Sequence, residues 1–195
     1  MTVVIALVDE RGEIHMGSDS SASDNEHIES CNIEKIFLKN GFVIGVCGSF
    51  RILNILKYIF NPLPFNYYDW DSAMEFMVIS FIPDLMKVLK KNKAILKEQL
   101  STRTMEASII VGFCGQLFNI DSDFQVRNTP TEKFYAIGSG SDVAKGSLIT
   151  SFYNNNDFYE SLKNALFSSQ EYSKSVKGPF YYLSSNKLDG IINFF

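Results

Sequence analysis

The chain has 195 residues, the size of one ordinary domain, and is 46% hydrophobic and 14% aromatic, a composition that supplies a large core and excludes disorder. A formal net charge of -4, from 18 Lys and Arg against 22 Asp and Glu, leaves no basic footprint for nucleic acid. Three scattered cysteines, Cys31, Cys47 and Cys114, and two histidines, with no CxxC spacing, argue against a disulfide framework or a zinc site.

In chain order, the apolar, β-branched run at residues 2–8, a turn at 9–12 and an extended run at 13–18 read as a hairpin. A polar stretch, 19–32, follows. Residues 35–38 and 42–47 flank Asn40-Gly41, a type I′ turn signal, and predict a second hairpin. Apolar residues between Phe50 and Phe60 recur near the helical period, and Pro62 and Pro64 stop that helix. Ser72 and Glu75 have capping-box spacing at the head of a helical pattern reaching about residue 100, with Pro83 as a kink point. The runs ASIIVGF and QLFNID around Cys114-Gly115 predict a third hairpin, and KFYAIG a short strand. Helices are predicted at 142–153 and 157–172, before the closing strands PFYYLSS and GIINFF. Cys47 and Cys114, inside apolar runs, read as small buried hydrophobes.

Strands, two helices, strands, two helices and strands exclude a doubly wound parallel sheet. They predict an α+β protein, a four-layer αββα sandwich of two mainly antiparallel sheets, as a single domain over residues 1–195. MTVVIALVD lacks the basic start of a signal peptide, and no run approaches the ~18 apolar residues of a membrane span. A cytoplasmic protein with no membrane partner is the expectation.

A Ser-His-Asp or Cys-His triad would need His15 or His27, and no GxSxG motif accompanies either. GSGSDVAKG at 138–146 lacks the GxxxxGK[ST] spacing of a phosphate loop and reads as a strand-to-helix turn. The N-terminus is more informative. Thr2 follows Met1, and a small second residue invites removal of the methionine. A threonine with a free α-amine carries nucleophile and base together, since the amine, with a reference pKa of ~7.7 to 8.0, can take the hydroxyl proton near neutrality. That chemistry calls for no histidine, metal or cofactor.

The opening TVVIALVDERGEIHMGSDSSAS resembles that of proteasome β subunits and HslV-type peptidases, of the N-terminal nucleophile hydrolase superfamily. There a threonine begins a strand, a glycine turn leads to a second strand, and that strand ends in Gly-x-Asp; Thr2, Gly12 and Gly17-Ser18-Asp19 match. Lys35 in EKIFL stands where that family has its catalytic lysine. NGFVIGVCGS resembles the segment ending at the oxyanion-hole glycine, here Gly48. ASIIVGFCGQLFNID resembles a central hairpin, and FYAIGSGSDVAKGSL a Gly-Ser-Gly turn that maps to Ser139.

The resemblance implies a threonine-type endopeptidase. Thr2 Oγ1 is the nucleophile and its amine the base, Lys35 holds positive charge beside it, Asp19 partners Lys35, the Gly48 N–H stabilises the oxyanion, and Ser139 completes the catalytic set. It further implies that Ser23 holds the substrate backbone and that Ile33, Phe37 and Val46 shape an apolar pocket for a large hydrophobic side chain. Polypeptide substrates, assembly into homo-oligomeric rings, with the aromatic stretch 65–70 as a contact, and an ATPase unfoldase as candidate partner follow from the same likeness. The stretch YSKSVKG at 172–178 departs from the family's supporting Asp and Ser, with no Asp and with Ser173 and Ser175 both open for the serine. Two other readings keep the fold: a non-catalytic ring or scaffold subunit, and an amidase acting on a small acylated molecule.

Overall fold

The apolar runs of the sequence become strands covered on both faces. In the computed structural model, which describes residues 2–23, 28–30, 32–97, 103–128, 133–154, 157–186 and 192–194, one sheet is built from β1 (Val3–Val8), β2 (Ile14–Ser18), β12 (Phe134–Gly138), β13 (Phe180–Ser184) and β14 (Ile192–Phe194). Its order is β12-β1-β2-β13-β14. The second contains β5 (Ile36–Lys39), β6 (Phe42–Gly48), β9 (Ala107–Phe113), β10 (Gln116–Ile120) and β11 (Val126–Arg127), in the order β11-β10-β9-β6-β5. The strand pairs in both sheets are antiparallel. Two short ribbons pair β3 (Ser21–Ser23) with β4 (Ile28–Ser30) and β7 (Leu96–Lys97) with β8 (Arg103–Thr104).

The two-residue period of a strand sorts side chains into layers. Val4 and Ala6 of β1 face Met16, Ile36, Val43, Ile110 and Leu117 between the sheets. Val3, Ile5 and Leu7 face outward onto Leu148, Leu162 and Leu166 of the third helix, Ser141–Tyr153, and the fourth, Phe158–Tyr172. On the outer face of the second sheet, Phe42 meets Phe76, Phe81 and Phe113 with ring centroids 5.8, 5.4 and 5.0 Å away. Those aromatic rings lie beneath the first helix, Phe50–Asn54 continuing as a π-helical turn Ile55–Ile59, and the second. The second helix runs Ala73–Phe76, a π-helical turn Met77–Phe81, and Ile82–Lys91. The αββα sandwich is therefore the observed architecture, and the Ser72 side chain accepts from Glu75 N at its predicted cap.

Two local expectations are corrected. The second helix ends at Lys91 rather than near residue 100: Lys93 takes a left-handed φ of 55°, Ala94 N returns to Leu89 O at 2.9 Å, and Asn92 Nδ2 donates to Val88 O at 2.9 Å. These bonds satisfy the last carbonyls and stop the helix. Cys114 is exposed, not buried, because it and Gly115 form the β9–β10 turn with φ of 51° and 67°, as a type I′ turn requires at both central positions. Among the described residues no helix is long and apolar enough to cross a membrane.

Candidate active site

Adjacent hairpins bring three strand ends to one edge of the sandwich. Thr2 precedes β1, Asp19 follows β2, and Lys35 precedes β5; all three are buried. The Thr2 hydroxyl donates to Asp19 Oδ1 and accepts from Lys35 Nζ. Lys35 Nζ also donates to Asp19 Oδ1 at 2.9 Å and to Ser21 O at 2.7 Å, so three acceptors meet the three protons of an ammonium. Asp19 Oδ1 accepts from Val3 N at 3.0 Å, while Oδ2 accepts from Ser21 N at 3.2 Å and from the Ser21 hydroxyl. Side-chain exposures of 3% for Lys35 and 0% for Asp19 define a buried ion pair, which is tolerable because its remaining donors and acceptors are met within the cluster.

Two glycines let backbone segments pack tightly at the site, one of them against Thr2 itself. At Gly138, φ is 96° and an added Cβ would lie 2.2 Å from Thr2 O. At Gly48, φ is 114° and a Cβ would lie 2.3 Å from Glu106 O. Both conformations favour glycine, and both approaches exclude a side chain. Ser139 follows the first of these turns; its hydroxyl donates to Thr2 O at 3.3 Å and lies 2.7 Å from Ser175 Oγ. Ser175 is buried, and its carbonyl is 3.0 Å from Ser21 Oγ. Ser173 Oγ is 3.4 Å from Ser175 Oγ, so Ser175 is the serine in contact with the cluster.

Beside Thr2 opens a cavity of about 150 Å³ lined by Thr2, Lys35, Val46, Gly48, Ser49, Phe50 and Leu53. A cavity of that size holds about one benzene-sized group, and here Val46, Phe50 and Leu53 form its apolar side while Thr2, Lys35 and Ser49 form a polar one. Of the predicted pocket residues, Val46 lines this space. Phe37 lies in the core beneath the first helix and Ile33 packs against that core; among the described residues the walls come instead from Phe50 and Leu53. Ser23 belongs to β3 and pairs through its backbone with Ile28, while its side chain lies outside the described residues. Ser21 was missed from the sequence, whereas Ser175 was one of two serines left open there. Ser21 carried a signal, since a serine two residues beyond an aspartate is placed for a local side-chain-to-backbone turn.

Cys47 sits behind this site, its thiol donating to Ile137 O at 3.4 Å. Burial first, and then the Asp19 carboxylate, push that thiol well above its ordinary range. It stays protonated and is no rival nucleophile. The cluster instead places an ammonium against a hydroxyl oxygen at the floor of a pocket walled on one side by Val46, Phe50 and Leu53, an arrangement that stabilises negative charge on that oxygen.

No family model matches the sequence, and no curated protein matches it. Solved structures do match. BPH from Thiobacillus denitrificans is 21% identical, with a TM-score of 0.75 over 94% of this chain and 97% of that one. HslV from Trypanosoma brucei is 16% identical, with a TM-score of 0.65 over 94% and 98%. Anbu, an ancestral β-subunit from Yersinia bercovieri, is 15% identical, with a TM-score of 0.67 over 98% and 86%. Over nearly all its length, this chain has the fold of the proteasome-type N-terminal nucleophile hydrolases.

Proposed function

We propose that this protein is a threonine-type peptidase that becomes active when Met1 is removed. The observation that carries the reading is the Thr2 hydroxyl held between the buried Lys35 ammonium and Asp19 at the base of an apolar pocket. Thr2 Oγ1 attacks the substrate carbonyl, and the freed α-amine accepts the hydroxyl proton, directly or through a water. Lys35 lowers the energy of the alkoxide, Asp19 fixes Lys35, and the Gly48 N–H receives the developing oxyanion, an interaction commonly worth ~3 to 4 kcal/mol in the transition state. The amine then returns its proton to the leaving nitrogen, and water hydrolyses the Thr2 ester. Ser139 and Ser175 hold the Thr2 backbone during both steps, and the two-stranded ribbon containing Ser23 offers its backbone to an extended peptide.

The pocket between Val46, Phe50 and Leu53 takes one apolar side chain before the scissile bond, leucine-sized or a single ring. Assembly into rings accords with the apolar side chains exposed on the outer helices and their connection, among them Tyr58, Ile59, Tyr67, Tyr68, Val78 and Ile79. An ATPase unfoldase would supply unfolded substrate to such a ring. A scaffold subunit has no use for a buried Thr-Asp-Lys cluster, which sets the non-catalytic reading second.

BPH has been solved in complex with epoxomicin, and this peptide epoxyketone is the decisive probe here. A residue presenting hydroxyl and α-amine on adjacent carbons closes a six-membered ring with the warhead. Mass spectrometry should place the adduct on the peptide beginning at Thr2 and find none in Thr2→Ala. Absence of an adduct on protein shown by intact mass to lack Met1 would refute the peptidase reading.

A further inference from the structure

The far end of β1 from Thr2, about 20 Å along a six-residue strand, carries a second polar cluster that the proposed peptidase chemistry does not use. Asp9 and Glu13 lie in the β1–β2 turn and His15 in β2. Each offers one ligand atom, and the three atoms all lie within 4.8 Å of one another. His15 is fixed from both sides: its ring stacks on Phe158 at 5.9 Å and on Tyr182 at 6.0 Å between centroids. Its Nδ1 lies 2.7 Å from the Tyr182 hydroxyl. Asp9 is held through Oδ1, which accepts from Arg11 N at 2.9 Å and Glu13 N at 2.7 Å, leaving Oδ2 free to face His15. Glu13 accepts from the Ser184 hydroxyl.

One atom in this ordered cluster stands unexplained. His15 Nε2 is buried and has no hydrogen-bond partner; the Asp9 Oδ2 atom opposite is 3.6 Å away, too far for a hydrogen bond. In the tautomer whose Nδ1 donates to the Tyr182 oxygen, Nε2 presents a lone pair towards the carboxylate. The pair is satisfied by a positive centre between the two atoms, either a proton on Nε2, which makes it an ion pair, or a metal ion. Nitrogen and oxygen ligands each ~2.0 to 2.2 Å from a zinc ion stand about 3.3 to 3.6 Å apart at the tetrahedral angle, which fits the observed gap. An imidazole whose other ring nitrogen is tied to an oxygen is also the usual form of a metal-bound histidine.

We propose that Asp9, Glu13 and His15 bind a divalent transition-metal ion of the zinc type. The imidazole selects against calcium and magnesium, which take oxygen ligands. Three protein ligands leave one tetrahedral position for water. The ion would clamp the β1–β2 turn and, through Tyr182 and Ser184, tie it to β13. Counting cysteines and histidines missed this site because two of its three ligands are carboxylates.

The test uses the full chain, stripped with chelator and carrying Cys31→Ser and Cys114→Ser so that these two thiols do not compete. Titration with Zn(II) should show one saturable equivalent and raise the melting temperature. Co(II) should give visible d–d absorption without a thiolate charge-transfer band. His15→Ala and Glu13→Gln should each weaken Zn(II) binding at least ~10-fold, and Tyr182→Phe, which keeps the ring but removes the Nδ1 partner, by ~10- to 100-fold. Should His15→Ala fail to fold by circular dichroism, Glu13→Gln and Tyr182→Phe decide. No saturable binding of either metal at about 100 µM, or wild-type affinity in folded variants, would overturn the assignment; the cluster would then be an ion pair alone.

Discussion

Replacing Lys35 with Met removes an ammonium from a site where its partner has no contact with water. Asp19 is 0% exposed and Lys35 3%, and deleting one member of such a pair costs about 3 to 5 kcal/mol because the other charge is left buried. The lower figure applies here, since Asp19 keeps the Val3 and Ser21 amides and the Thr2 and Ser21 hydroxyls as donors. About 3 kcal/mol in a chain of this length lowers the melting temperature by about 6 to 12 °C. Adding Asp19→Asn removes the stranded charge, so the double variant should recover part of the loss, with a coupling of about 2 kcal/mol in the cycle. Urea denaturation followed by fluorescence of Trp70, which packs on Phe76 at 5.4 Å, and by circular dichroism measures all four proteins. A loss under about 1 kcal/mol for Lys35→Met, or a coupling indistinguishable from zero, would refute the reasoning, because the pair would then behave as a solvated one.

Gly48→Ala should destabilise by at least about 2 kcal/mol, since it combines a φ of 114° with a Cβ 2.3 Å from Glu106 O; an unchanged melting curve would show that the turn relaxes. On the proposed peptidase reading, Phe50→Ala, which removes one wall of the pocket, should move the preference before the scissile bond towards bulkier aromatic groups by about 10-fold or more in kcat/KM. Fluorogenic peptides differing only at that residue read the shift, and an unchanged ranking would place the specificity pocket elsewhere. The Cys47 thiol has its folded pKa raised above the ordinary 9.0 by burial, so its contribution to stability is complete below pH 9 and is lost as pH rises, when the unfolded thiol ionises and the native one does not. From pH 9 to 11 wild type should lose stability relative to Cys47→Ala by up to about 1.4 kcal/mol per pH unit; parallel curves would mean that Cys47 ionises equally in both states.

The parts of this protein legible from sequence are those specified by short-range pattern. Asn40-Gly41 and Cys114-Gly115 announced their turns, and the β-branched runs announced strands, because hairpin partners are close in the chain. Thr2, Asp19 and Lys35 could be brought together on paper for the same reason: each lies at the end of a strand in one of two successive hairpins. Long-range placement was not legible. Ser175 meets Ser139 only after the last helix has folded back across the sheet. The pocket was assigned to Ile33, Phe37 and Val46; Val46 lines it, and so do Phe50 and Leu53, three apart on one face of a short helix whose apolar residues otherwise read only as core. The ribbons at Ser21–Ser23 and Leu96–Lys97 are too short to show any period. The end of the second helix depended on Lys93 accepting a left-handed conformation that no composition rule assigns to lysine.

The position of β1, paired on one side with β2 and on the other with β12, has a consequence for how the chain matures during synthesis. Its register with β12 joins Val3 to Gly138, so the strand that carries Thr2 cannot complete its pairing until roughly 135 further residues have been made, about 7 to 27 s at ~5 to 20 residues per second. On the proposed peptidase reading, that interval is when an aminopeptidase working at the ribosome would reach the Met1–Thr2 bond, before any finished sheet encloses Thr2. Once β12 docks, Thr2 is buried and the opportunity closes. On that reading, translation speed over the first two-thirds of the message would control how many molecules carry a free threonine, and a chain refolded from denaturant with Met1 attached would stay unprocessed.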